Sequence, residues 1–313
     1  MSSNDCEVLI VGGGIAGLTA GLVSARAGGR TRVLTGPALG GQLISIERID
    51  GYPGFPDGIP GYELCPMVQE QAVAAGAEFS AAAATGLTAE GNRWKVTTGE
   101  GDVLAGAVVI ATGTSSKALG IPGEERLRGK GVSHCASCDG PLLRSRTVGV
   151  VGGGDSALQE GLTLAQYVSR VIVLHRGATL TAQAAYRDAV RNEGKIEVRT
   201  NTVVEQLIGD GTLTGVRTRA TTGGGESDVE LAALFVYIGL APNTAWLNGT
   251  FELDETKRIP TDDRMRTRLP GLFAVGTVRS GSAGRAASAG GDGADAAVAA
   301  DQYLSDGVWR AGE

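Results

Sequence analysis

The residues best equipped for chemistry lie in one short stretch, HCASCDGP, running from His134 to Pro141. It sets Cys135 and Cys138 two residues apart, with Asp139 directly after, in a chain that has only four cysteines. Three chemistries use such a pair: a metal clamp, a structural staple and a redox centre. In a C-x-x-C turn the two sulfurs lie close enough to form a reducible bond, and the pKa of one thiol tends to fall. What surrounds the turn has to choose among the three.

Two stretches that would position a nucleotide lie on either side of it. Glu7 to Val11 is a short apolar run that ends abruptly in GGGIAG, so Gly12, Gly14 and Gly17 take the G-x-G-x-x-G spacing with Ile15 and Ala16 between them. Leu18, Leu22 and Ala25 then recur at helical intervals until Gly28 stops the helix, and a second strand is expected over 31–34. In such a turn the first glycine permits the tight bend, the second lets a pyrophosphate approach the backbone, and the third packs helix on strand. The phosphates sit on the helix N-terminus, where free N–H groups and the dipole favour an anion. The same grammar returns about 140 residues later. Val148 to Val151 leads into GGGDSA, giving Gly152, Gly154 and Ala157 with Asp155 and Ser156 between, then a helix and a strand over 171–174. Two such openings imply two dinucleotides, or one dinucleotide and a relic.

The remaining elements give the organisation. VVIATGT, with Ala111, Thr112 and Gly113, is expected to close the first domain, and LFVYIGLAPNT the second. Residues 93–98 and 103–110, and again 202–218 and 227–237, alternate as β-ribbons do. After APNT the chain returns to the first domain and ends in GLFAVGT and an alanine-rich helix near 294–303. The fold class is therefore α/β, with two Rossmann-like three-layer nucleotide-binding domains, the second inserted into the first. The expected bounds are 1–114 with 246–313 for the first and 115–245 for the second.

Bulk properties narrow the function classes. A net charge of −6 without a basic block argues against nucleic acid and membrane surfaces as partners. No basic segment with a long apolar run opens the chain, and no run approaches the ~18 apolar residues of a membrane span. Four cysteines in 313 residues do not make a disulfide framework, so a cytoplasmic location is expected. Fifty glycines without a three-residue period read as tight turns and cofactor loops.

Taken in order, GGGIAG, GGQL, ATG, CxxCDG, GGGDSA, HR and APNT resemble the low-molecular-weight thioredoxin reductases, flavoenzymes of the pyridine nucleotide disulfide oxidoreductase superfamily. The resemblance spans essentially the whole chain, and its most specific part is GVSHCASCDG placed between ATG and the second glycine turn. It implies bound FAD, a reduced nicotinamide as donor, a thioredoxin-like protein or small-molecule disulfide as substrate, and a homodimer. It also implies that Cys138 exchanges electrons with the flavin, that Cys135 attacks the partner disulfide, and that Asp139 moves the proton. A zinc clamp needs four ligands, and Cys6 and Cys65 are far apart while the only histidines are His134 and His175. The same resemblance lays the flavin along Thr35, Gly36, Gly41, Gln42 and Leu43.

Several positions depart from the family pattern. The family's His-Arg-Arg-x-x-x-Arg run, which holds the 2′-phosphate of NADPH, reads HRGATLT: His175 and Arg176 remain, but Gly177 and Thr181 replace the other two arginines. No Asp or Glu stands at the ribose position either, so neither NADPH nor NADH is marked. The glycine-aspartate near the C-terminus reads Gly276-Thr277, and the arginine-glutamine pair falls on Gly284 and Arg285, with Ala286 following. FAD is expected in an altered pocket. The alternatives these departures raise are a non-nicotinamide donor such as ferredoxin or reduced flavin, a dithiol oxidase acting on a small molecule, and a flavin-binding sensor without turnover.

Overall fold

A computed structural model of the chain describes residues 5–37 and 39–309, so the ends of the expected first domain, including the first four residues of the chain's opening stretch, lie outside it. In chain order come β1 (Cys6–Val11), α1 (Ile15–Arg26), β2 (Thr31–Leu34), α2 (Gly61–Ala74), β3 (Glu78–Ser80), β4 (Ala84–Glu90), β5 (Arg93–Thr98) and β6 (Val103–Ile110). There follow β7 (Thr114–Ser116), α3 (Glu124–Leu127), β8 (Val132–Ser133), α4 (Ala136–Asp139), β9 (Thr147–Gly152), α5 (Asp155–Ala165), β10 (Arg170–Leu174), α6 (Ala184–Asn192) and β11 (Ile196–Arg199). β12 (Thr202–Ile208), β13 (Gly215–Ala220), β14 (Glu226–Glu230), β15 (Ala233–Tyr237), β16 (Leu240–Pro242), β17 (Leu272–Ala274) and α7 (Ala286–Asp306) complete the chain.

The chain divides into two compact units, residues 1–115 with 241–313, and residues 116–240. The return to the first unit at Ala241 comes five residues before the expected bound at 246. Residues of the APNT segment are tied to the closing turn of the first unit: Asn243 N–H donates to Gly113 O at 3.0 Å, its Nδ2 donates to Thr112 O at 2.8 Å, and Thr112 Oγ1 donates to Asn243 O at 2.9 Å.

In the first unit β3, β2, β1 and β6 run parallel in that order. The far edge of β6 is shared: its N-terminal half pairs antiparallel with β5, and its C-terminal half pairs parallel with β17. Continuous apolar runs suit strands covered on both faces. Leu9 and Val11 of β1 join Val108 and Ile110 of β6 in one core layer, while Val8 and Ile10 join Ala107 and Val109 in the other. Each fully buried Leu, Ile or Val contributes about 1.5–3 kcal/mol by leaving water. α7 packs directly on α1, and a Cβ at Gly293 would strike the Ala16 carbonyl oxygen, so only glycine allows the two backbones to touch there.

The second unit repeats the plan with a five-stranded parallel sheet, β11-β10-β9-β15-β8. Val171 and Val173 face one layer, and Ile172 and Leu174 face the other. An antiparallel β12-β13-β14 sheet supplies Val204, Val216 and Val229 to that second layer.

Candidate redox and dinucleotide sites

In the first glycine turn each glycine has a distinct physical reason. Gly12 has φ of 125° and a Cβ there would collide with the Ala111 carbonyl; at Gly17 a Cβ would collide with the Gly12 carbonyl. Gly14 is different, because nothing lies within 4 Å of where its Cβ would be. The turn is thus closed on the protein side and open at Gly14, the cradle a bound pyrophosphate needs. α1 has no side-chain cap and no acid in its first turn. Its first intrahelical amide bond is from Leu18 N–H to Gly14 O, which leaves the Ile15, Ala16 and Gly17 amides for an anion.

The other expected first-unit residues gather around this turn. A Cβ at Gly13 would press on Thr35, whose hydroxyl donates to Gly36 O at 2.9 Å and to Ser80 O at 3.2 Å. A Cβ at Gly41 would lie 3.3 Å from Gly14 Cα, and Leu43, Ile15 and Ala286 share one apolar cluster. Gln42 donates to Thr114 Oγ1 at 2.9 Å, and that hydroxyl pairs with Thr277 Oγ1 at 3.1 Å. Gly276 has φ of 69°, and a Cβ there would sit 3.1 Å from Ala16 Cβ. Arg285 is the N-cap residue of α7.

Two contributors were not anticipated. Gly276 N–H donates to Asp292 Oδ2 at 2.9 Å, and Arg279 grips the same carboxylate from Nε at 2.7 Å and Nη2 at 2.9 Å. Asp292 is one of the few acids in a helix of alanine and glycine, and it is buried; that contrast was the signal available.

The second turn matches the first. Gly152 has φ of 149° and a Cβ there would strike the Tyr237 carbonyl, while Gly154 stays open, with Thr181 Oγ1 3.8 Å from its Cβ position. Gly153 lies against the His175 ring as Gly13 lies against Thr35. His175 Nε2–H donates to Thr179 O at 2.9 Å, and Thr181 N–H donates to Gly153 O at 2.8 Å, so the loop after β10 folds back on the turn. The Asp155 carboxylate accepts from Gln183 N–H at 2.7 Å and from the Gln183 side-chain amide. Ser156 and Arg176 are exposed.

Cys135 and Cys138 form a disulfide with a Cα–Cα distance of 5.4 Å. Cys135 caps the single turn of α4: its Sγ accepts from Cys138 N–H at 3.2 Å and lies 3.5 Å from Ser137 Oγ. Its own N–H donates to Ser133 Oγ at 3.1 Å, and Asp139 N–H donates to Cys135 O at 3.3 Å. The other two cysteines are buried, and burial pushes the thiol of Cys6 up to about 12 and that of Cys65 up to about 11. Those two thiols therefore stay protonated, and so weakly nucleophilic, near neutrality.

Comparison with known proteins decides what this combination belongs to. The pyridine nucleotide-disulphide oxidoreductase family matches residues 6–294. The chain belongs to this family. Among relatives, the thioredoxin reductase of Treponema pallidum (strain Nichols) is 39% identical over 300 residues, covering 96% of this chain and 97% of its own length. The crystal structure of Lactococcus lactis thioredoxin reductase superposes with a TM-score of 0.93 at 34% identity, covering 96% of this chain and 99% of that one. That of T. acidophilum thioredoxin reductase gives 0.90 at 32%, again over 96% and 99%. The chain is an oxidoreductase with two Rossmann-like folds. Among the described residues no helix is long and apolar enough to cross a membrane.

Proposed function

We propose that this oxidoreductase is a flavin-dependent disulfide reductase of thioredoxin-reductase type. Electrons pass from a reduced nicotinamide to the Cys135–Cys138 pair and on to the disulfide of a thioredoxin-like protein. The observation that carries the reading is a CxxC-Asp disulfide on the sheet of one dinucleotide turn, in a chain that has a second such turn. FAD is the group that fits the first turn: Gly12, Gly14 and Gly17 would hold its pyrophosphate, with Thr35, Gly36, Gly41, Gln42, Leu43, Gly276 and Thr277 beside it. When bound it supplies the two-electron exchange between nicotinamide and disulfide.

The protein's own contribution is to choose which sulfur carries charge. The Cys138 N–H and the Ser137 hydroxyl surround the Cys135 sulfur, and hydrogen bonds to a charged form favour it. After reduction the Cys135 thiolate attacks the partner disulfide: a Cys135–partner bond forms, the partner's S–S bond breaks, and its second sulfur leaves as a thiolate. Cys138 then attacks the mixed disulfide, restoring the internal bond and releasing the partner as a dithiol. Asp139 takes the proton of the Cys138 thiol as it attacks and passes it to one departing thiolate, and solvent protonates the other.

The loop after β10 supports weak discrimination between nicotinamides. Between His175 and Gln183 the one fixed cation is Arg176, which faces solvent. A solvent-facing ion pair is worth about 0–1 kcal/mol, so NADPH and NADH should differ by less than about tenfold. Anaerobic titration of the flavin absorbance tests both clauses. Stoichiometric bleaching by either nucleotide supports the reading; bleaching by dithionite alone would refute the nicotinamide clause and point to ferredoxin or reduced flavin as donor.

A further inference from the structure

Two consecutive residues at the end of β15 hold the two residues that flank Cys135. The Val236 carbonyl oxygen lies 2.9 Å from His134 Nδ1, and because a carbonyl only accepts, the imidazole donates from that nitrogen. The Tyr237 phenol oxygen faces the backbone N–H of Ala136, and its O–H donates to Glu160 Oε2 at 3.4 Å. Ala136 is fully buried and shares a core cluster with the Tyr237 ring, and a buried N–H that loses its acceptor is costly. Tyr237 is also in register with Gly152, and Glu160 belongs to α5, the helix that leaves the second glycine turn. α4, by contrast, is one turn of four residues and has no stability of its own.

We infer that the Tyr237–Glu160 pair and the Val236–His134 bond together are the positioning device of the redox turn, keeping the two cysteines within bonding distance when the pair is reduced. Held thiols have a high effective concentration for each other, which favours the disulfide; a loosened turn lowers that concentration. The inference rests on the reading of Cys135 and Cys138 as a redox pair.

The test is equilibration of the full-length protein, anaerobically, in dithiothreitol buffers of graded redox ratio. The oxidised fraction of the pair is read by alkylation and mass. Tyr237→Phe should lower the equilibrium constant for disulfide formation about three- to tenfold, the size of one hydrogen bond. His134→Ala should move it in the same direction. Glu160→Gln keeps an oxygen to accept from the phenol and should stay within about twofold of the parent; a loss as large as that of Tyr237→Phe would overturn the part given to Glu160. Tyr237→Phe and His134→Ala proteins with native circular dichroism and an unchanged constant would overturn the inference. If Tyr237→Phe does not fold, His134→Ala decides alone. An unmodified pair that no buffer reduces would sink the redox reading beneath it instead.

Discussion

Replacing Asp292 with asparagine should be the most damaging isosteric change in the first unit. Its two oxygens serve three donors: Gly276 N–H and Arg279 Nε on Oδ2, and Arg279 Nη2 on Oδ1. Whichever oxygen becomes NH₂ then faces a donor, and the guanidinium keeps its charge with only 17% of its side chain exposed. Removing one partner of a buried pair costs about 3–5 kcal/mol. With about 2–4 °C per kcal/mol for a unit of this size, the melting temperature should fall by about 6–20 °C. The control is Asp50→Asn, which breaks the Arg48–Asp50 pair, whose side chains are 66% and 60% exposed. Such a solvent-screened surface pair contributes little, so the shift should stay under about 4 °C and shrink further in high salt. Scanning calorimetry of the flavin-loaded, full-length protein reads both, using the transition that coincides with flavin release. An Asp292→Asn protein melting within about 4 °C of the parent would refute the reasoning.

Other expected outcomes follow from the same geometry. Gly14→Ala should fold normally, because its Cβ meets open space, yet lose flavin affinity in a fluorescence titration; Gly17→Ala should instead fail to assemble the turn. Gly154→Ala should raise the KM for the nicotinamide while leaving flavin content unchanged. Cys138→Ser should abolish disulfide reduction with the flavin still bound; full activity in that variant would sink the proposed route. Burial raises the Cys6 and Cys65 pKa values above the ordinary thiol, so those groups stay protonated below about pH 10 and lose that protection only above it. At pH 8 the reduced native protein should therefore titrate two thiols with Ellman's reagent, and four after denaturation in urea.

Much of the architecture was legible because a few residue types admit one conformation. The two glycine turns could be read directly, since backbone collisions at Gly12, Gly17 and Gly152 leave no alternative to glycine. The apolar runs of β1 and β9 announced doubly covered strands. The C-terminal helix was legible only in its alanine-rich half: α7 begins at Ala286, and Gly290, Gly291 and Gly293 obscure its first turns by their low propensity. Gly293 is there for its lack of a Cβ against Ala16, a tertiary reason invisible along the chain. The site followed the same rule. CxxC-Asp declared itself by spacing, whereas Tyr237, Glu160 and Val236 act on the turn from about 20 to about 100 residues away and carry no local signature.

The shared edge of β6 has a consequence for how the molecule is made. Residues 116–240 form a contiguous unit that is complete as soon as it leaves the ribosome. The first unit cannot be finished then, because β17, which covers the C-terminal half of β6, and α7, which covers α1, are synthesised after it. Until they arrive, the growing chain carries an unpaired strand edge and a bare apolar face of α1, both prone to aggregation. A premature stop after residue 240 would therefore yield a finished redox turn attached to a flavin domain that has no means of closing.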